Sequence, residues 1–327
     1  MENKKKKGIF ARFFDLSRDG KGVKKEPFEE RNFKNFFKIY GRNLGRMFSV
    51  NLYYILGNFP LFFLLLVLSG NVNRISFSPT SSLFPVLTGA VTAAGGHTPA
   101  TLALAGVHGV LQQMQVMTPL SWFFLALSLL TLLTWGPVNV GTTYILRNIV
   151  KGEPIFIWED FWYAIKRNLK QGLIFGAIDA GIILVLAYDI LFFFNNMTLS
   201  FLMSMLFYVS VGVAVIYFVM RFYIYILMIT FDLSLYKILK NALIFSILGF
   251  KRNLLAVIGI LLSLFLTYLL FCLFVPLGLI LPFIILIGSS AFMGAYAAWP
   301  KIKEIMIDPY YTEEEKTEDE PIFHDRG

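Results

Sequence analysis

From Leu254 to Ala298 the chain carries no Asp, Glu, Lys or Arg. About 20 apolar residues cross a bilayer as a helix, so this run predicts two crossings, with the turn between them near Pro276 to Pro282. The pattern recurs along the chain. Six spans are predicted, roughly at 47–69, 120–145, 172–194, 200–230, 254–275 and 278–299. Lipid offers backbone groups no hydrogen bonds, so the spans must be helices. The expected fold is all-α: a polytopic membrane helical bundle of six transmembrane helices arranged as three hairpins. A basic segment, 1–46, and a tail, 300–327, flank a membrane domain of 47–299.

Composition strengthens this picture. The chain is 57% hydrophobic and 15% charged, with mean hydropathy +0.66, whereas soluble domains carry about 25% charged residues. The net charge of +8 does not point to nucleic acid. Residues 1–46 hold 14 Lys and Arg against 6 Asp and Glu, an excess equal to the whole net charge, and it ends where the first span begins. That placement suits a flank near anionic lipid headgroups. Loops alternate in charge as well. Arg147, Lys151, Lys166, Arg167 and Lys170 lie between spans two and three, and Lys237, Lys240, Lys251 and Arg252 between four and five. On the opposite side the long loop 70–119 has only Arg74, and the turns at 195–199 and 276–277 have no Lys or Arg. The positive-inside bias therefore places both termini in the cytoplasm. A polar N-terminus of more than 40 residues argues against a cleavable signal peptide. Trp122, Trp135, Trp158, Trp162 and Trp299 fall mostly near span ends, as interfacial aromatics do. The single cysteine, Cys272, allows no intrachain disulfide.

A short motif repeats before the odd-numbered spans: Gly41-Arg42-Asn43-Leu44, Lys166-Arg167-Asn168-Leu169 and Lys251-Arg252-Asn253-Leu254. Phe33, Phe36, Phe37, Tyr40, Leu44 and Met47, with Arg31, Lys34, Lys38 and Arg42 between them, keep helical spacing. This predicts a basic amphipathic helix lying in the cytoplasmic interface before turning into the membrane. Three such units are expected, unless the recurrence is chance in a chain with basic inner loops.

The loop 147–171 is the most motif-like. Gly152, Glu153 and Pro154 break the chain, and Phe161, Trp162, Ile165 and Leu169 then share a helical face, with Lys166, Arg167 and Lys170 able to meet phosphates. Asp160 or Glu159 complements the helix dipole. The segment is an inner-face anchor or a docking element for a cytoplasmic partner, with Trp158, Asp160, Phe161, Trp162, Lys166, Arg167, Asn168, Lys170, Arg42, Asn43, Arg252 and Asn253 as the interfacial and docking residues.

The run from Trp158 to Gln171 resembles the signature of the YesL-like proteins, the bacterial domain of unknown function 624. The resemblance continues through Gly136-Pro137, Thr142 to Asn148, Phe231 to Leu235, Lys240-Asn241-Ala242 and the acidic tail around Glu313 to Phe323. It covers roughly residues 40 to 325, although the long first outer loop departs from shorter members. It implies a multi-pass protein of the cell membrane of Firmicutes and related bacteria, whose genes often neighbour carbohydrate ABC importers and polysaccharide-utilisation enzymes. No settled activity comes with the family.

Ionisable residues at membrane depth cost about 2.5 to 3.5 kcal/mol each on insertion scales. Three occur: Asp179, Asp189 and Arg221. Asp179 and Arg221 lie at similar depth on consecutive spans and are expected to pair, either as a structural ion pair or as a substrate or proton relay site. Asp189 is near the outer end, within reach of water. Phe84 to Gly109, in the outer loop, is too short and broken to span yet too apolar for a solvated loop, so a re-entrant or interfacial element is expected. His97 and His108 are eleven apart without a Cys or carboxylate cluster, and no metal or cofactor is expected. Nucleotide loops, paired zinc-binding histidines and a serine elbow are absent, and the adjacent Glu159 and Asp160 point apart on a helix. The tail from Asp308 has eight acids against two bases and is expected to order only on a partner. The expected function is a non-enzymatic accessory subunit contacting membrane lipid, the permease subunits of a carbohydrate ABC importer and their ATPase. The alternative is a stand-alone small-solute transporter with its polar site between spans three and four, drawing on Gly136-Pro137 and Asn139. An intramembrane enzyme ranks last.

Overall fold

The computed structural model describes residues 31–79, 81–96 and 98–310. The basic run before Arg31, His97 and the acidic tail beyond Tyr310 lie outside the described residues.

Helices dominate. In chain order they are α1 (Phe33–Arg42), α2 (Leu44–Gly57), α3 (Pro60–Leu68), α4 (Phe84–Ala93), α5 (Pro99–His108), α6 (Pro119–Ser128), α7 (Thr131–Lys151), α8 (Ile157–Arg167), α9 (Leu169–Asn195), α10 (Phe201–Thr230), α11 (Leu235–Leu248), α12 (Phe250–Leu273), α13 (Val275–Leu281) and α14 (Ile287–Met306). Among the described residues, five helical stretches are long and apolar enough to cross a membrane: Pro119–Lys151, Leu169–Asn195, Phe201–Thr230, Phe250–Leu273 and Val275–Tyr310. The bent pair α2 and α3, at 66°, makes a sixth if it counts as one span. The chain is thus an integral membrane protein of five to six apolar helices.

The chain forms two compact units, the first running through Asn51, Gly141–Ala164 and onward from Val215, the second Leu52–Val140 and Ile165–Ala214. In the first, α14 packs against α12 and supplies Phe292, Ala295, Ala298, Trp299 and Ile302 to the core. The predicted turn at Pro276 to Pro282 needs correction. The chain breaks earlier, at Phe274, whose backbone is extended, and Pro276 sits in the first turn of α13. Proline lacks an N–H that the first turn does not use, so it starts a helix here instead of ending one. α13 packs back on α12, Gly278 against Phe271, where a Cβ would lie 2.2 Å from the Phe271 Cα. Pro282 is then absorbed by a five-residue π-helical turn, Pro282–Leu286, inside an otherwise continuous span.

In the second unit α3 and α6 pack together, with the rings of Phe63 and Phe124 stacked at 5.5 Å. The loop 70–119 corrects the all-α expectation locally. Strands β1 (Arg74–Pro79) and β2 (Leu111–Val116) pair antiparallel, from Arg74 opposite Val116 to Pro79 opposite Leu111. Between them α4 and α5 pack on one another. Thr98 and Thr118 each precede a proline and cap the helix that follows, as the Thr-Pro pairs should.

Candidate functional site

α8 starts where α7 stops. Gly152, at φ +81°, ends α7, with Glu153 N–H donating to Asn148 O at 3.1 Å and Gly152 N–H to Ile149 O at 3.2 Å. This doubly bonded exit needs the left-handed conformation that glycine tolerates best. Asp160 Oδ2 then accepts the Phe156 N–H at 2.9 Å and tethers the first turn of α8. Partial burial pushes the Asp160 carboxyl above its ordinary value, opposed by that same N–H. One face of α8, Phe161, Ala164 and Ile165, is buried, and Phe161 fills the space over Gly141. Trp162 and Leu169, read on the same face as Phe161 and Ile165, are exposed, as Trp158 is at 63%. Trp158 and Trp162 meet edge to face at 5.7 Å. Tyr163, Lys166, Arg167 and Lys170 are exposed too. α8 therefore offers an aromatic and basic surface on a seated helix.

The three repeated motifs all fall at or beside a corner between a short helix and a long one. Asn43 is the corner from α1 to α2, with φ −109° and ψ 16°. Asn168 is the corner from α9's predecessor α8 into α9, with φ −115° and ψ 19°. In the third copy the corner is Gly249 and Asn253 lies one turn later. Asn43 and Asn253 are buried and donate backward, to Ile39 O at 2.8 Å and Ser246 O at 2.9 Å. Asn253 also accepts from the Tyr223 hydroxyl at 2.8 Å. The two asparagine side chains thus bond carbonyls in the turn before each corner. Arg42 is exposed and Arg252 half-buried.

Asp179 lies in the second unit, fully buried on α9. Its Oδ2 accepts the Trp135 indole N–H at 2.8 Å. Trp135 is therefore a donor to a buried carboxyl group. Backbone contact beside this pair is close. A Cβ on Gly136 would lie 1.8 Å from Gly172 O, and one on Gly176 would lie 2.3 Å from the Gly136 Cα. Gly172 and Gly176 form the small-xxx-small spacing that lets membrane helices touch through their backbones. That signal was present in the sequence but unread. Arg221 belongs to the first unit, half-buried on α10, and Asp189 is half-buried on α9.

Two further polar groups of the first unit escaped the sequence reading. Arg147 was counted among loop cations, yet it lies within α7 and is buried. Its guanidinium donates to Ile229 O at 3.3 Å and Thr230 Oγ1 at 3.1 Å, at the end of α10, and sits 4.7 Å from the Tyr144 ring centroid. A cation there opposes the partial negative charge of a helix C-terminus. Asn51, fully buried on α2, serves the π-turn: its Nδ2 donates to Pro282 O at 3.1 Å and Phe283 O at 2.7 Å, and its Oδ1 accepts the Gly288 N–H at 2.9 Å. In the loop 70–119, His108 Nδ1 and Ser81 Oγ are hydrogen-bonded at 3.0 Å.

The family model described as "Protein of unknown function, DUF624" matches residues 115–190. The matched stretch contains Trp135, Asp179 and all of α8. No curated protein and no solved structure matches the chain.

Proposed function

We propose, on the premise that this is a membrane protein of the DUF624 family, that it is a non-enzymatic accessory subunit of a carbohydrate ABC importer. In this reading it is a multi-pass protein of the bacterial cell membrane, with both termini and α8 cytoplasmic and its spans in three hairpins. The observation that carries it is the division of α8 into a buried face and an exposed one bearing Trp158, Trp162, Tyr163, Lys166 and Arg167. Tryptophan, tyrosine and arginine are the residue types that anchor protein interfaces. The polar groups inside the helices support the reading from the other side: Asn51, Asn253 and Arg147 bond backbone oxygens, a structural occupation. The occupant of α8 is a permease subunit, with the importer's ATPase following through it.

Purification from the native host in mild detergent tests this. The expected result is co-purification of two permeases and an ATPase, lost in a Trp158→Ala/Trp162→Ala variant that remains monodisperse. A lone monodisperse protein, with sugar uptake unchanged in a deletion strain, overturns the proposal. One observation favours a second reading, a stand-alone small-solute transporter: Asp179 is a fully buried carboxylate on an apolar helix. Intramembrane carboxylates often mark ion or substrate pathways. Uptake by reconstituted vesicles that Asp179→Asn abolishes would establish that reading; vesicles that take up no solute remove it.

A further inference from the structure

We propose that the outward surface of α1 binds the phosphate headgroups of anionic phospholipid. Three stripes follow one another around this helix, at about 100° per residue. The first, Phe36, Ile39, Tyr40 and the corner Asn43, faces the first unit: the Phe36 ring lies 5.6 Å from Phe292 and 5.2 Å from Tyr296, and Tyr40 and Ser289 share a hydrogen bond at 2.6 Å. The second stripe is Phe33 and Phe37, exposed at 67% and 59% and edge to face at 5.3 Å. The third is Lys34, Lys38 and Arg42, spaced four apart and all exposed. The apolar stripe thus separates the packed face from the basic one.

This ordering selects lipid as the occupant. Leu44 and Phe48, at the start of the candidate span that follows, are exposed apolar residues as well. Hydrocarbon that covers Leu44 and Phe48 reaches Phe33 and Phe37, and the cations then stand at headgroup height beside them. The complementary charge at that height is phosphate. The surface is also held in place. Asn32 caps α1 through the Asn35 N–H at 3.0 Å, the Tyr296 hydroxyl donates to Asn32 O at 2.7 Å, and Arg31 Nε donates to Val150 O. A fixed helix presents its three cations together, so little ordering remains for the lipid to impose. This inference uses surfaces separate from α8 and does not depend on the importer assignment.

The full chain, with Cys272→Ser and Gly41→Cys, tests it. A Cβ at Gly41 meets nothing within 4 Å, so a bimane label fits there. The labelled protein is reconstituted in phosphatidylcholine vesicles containing phosphatidylglycerol, with bromine on one lipid or the other. Quenching by brominated phosphatidylglycerol is expected to exceed quenching by brominated phosphatidylcholine. Each cation beside an anionic surface contributes about five-fold in binding. A Lys34→Gln/Lys38→Gln/Arg42→Gln variant is therefore expected to lose the preference while still being quenched equally by both lipids. Equal quenching in the unsubstituted surface overturns the proposal, as does a preference that survives the triple substitution. Free inorganic phosphate that abolishes the preference would reassign the site to a soluble anion and also overturn it. A triple variant that fails to reconstitute is replaced by the three single substitutions, each expected to weaken the preference in part; three singles without effect count against it.

Discussion

Asn51 in the first unit and Asp179 in the second are both fully buried polar side chains on apolar helices, yet they answer opposite problems. Asn51 serves the backbone. The π-turn at Pro282–Leu286 disturbs the carbonyl ladder, and one amide side chain bonds two of its oxygens and the Gly288 N–H beyond it. Asp179 is itself served, by the Trp135 indole, where glycines bring two backbones together. Low dielectric makes any unmade hydrogen bond expensive. One region meets that demand by repairing a break in a helix, the other by admitting a polar pair beside a close helix crossing.

The contrast can be broken from either side. Asn51→Leu removes three hydrogen bonds and strands backbone groups, each costing about 1 to 3 kcal/mol, so the thermal midpoint in detergent should fall the most. Gly136→Val comes next. Its side chain would meet Gly172 backbone that cannot move aside, and overpacking of this kind costs about 1 to 3 kcal/mol. The drop should match that of Gly176→Val, since both act on one crossing. Trp135→Phe keeps the aromatic bulk and deletes the donor to Asp179, leaving a buried acceptor without that bond at a cost of about 1 to 3 kcal/mol. A midpoint unchanged by Trp135→Phe would show that the indole bond does not stabilise the fold.

The smallest effect belongs to α8. Burial raises the Asp160 pKa in the folded protein, so the fold prefers the protonated carboxyl. The associated stability is fully present below the ordinary carboxylate range and is lost as pH rises through the raised value. Asp160→Asn keeps an oxygen for the Phe156 N–H and should flatten this dependence, read as the difference in thermal midpoint between acidic and neutral buffer. A slope unchanged in the variant would assign the pH dependence elsewhere.

Much of this was legible in the residues. Spans three and four were predicted at 172–194 and 200–230, and the helices run Leu169–Asn195 and Phe201–Thr230. The break at Gly152 to Pro154 and the Arg-Asn corners at Asn43 and Asn168 were visible too, because glycine, proline and asparagine act locally on the backbone. The β1–β2 ribbon was not. Ile75 and Phe77 alternate with serines over only six residues, too short a pattern to distinguish a strand from a loop. Pro276 and Pro282 suggested a turn because proline marks breaks; that they start a helix and widen another depended on Gly278 meeting Phe271 and on Asn51, distant in sequence. The bond from Trp135 to Asp179 was not legible either, because the two lie 44 positions apart.

What the chain decided alone was its solvent. Runs without charge are too apolar for water, and bilayer thickness turns their length into a helix count. Which buried polar atoms face one another was settled only in three dimensions. Hydropathy adds up along the sequence, whereas a hydrogen bond requires two atoms within about 3 Å, wherever the chain brings them from.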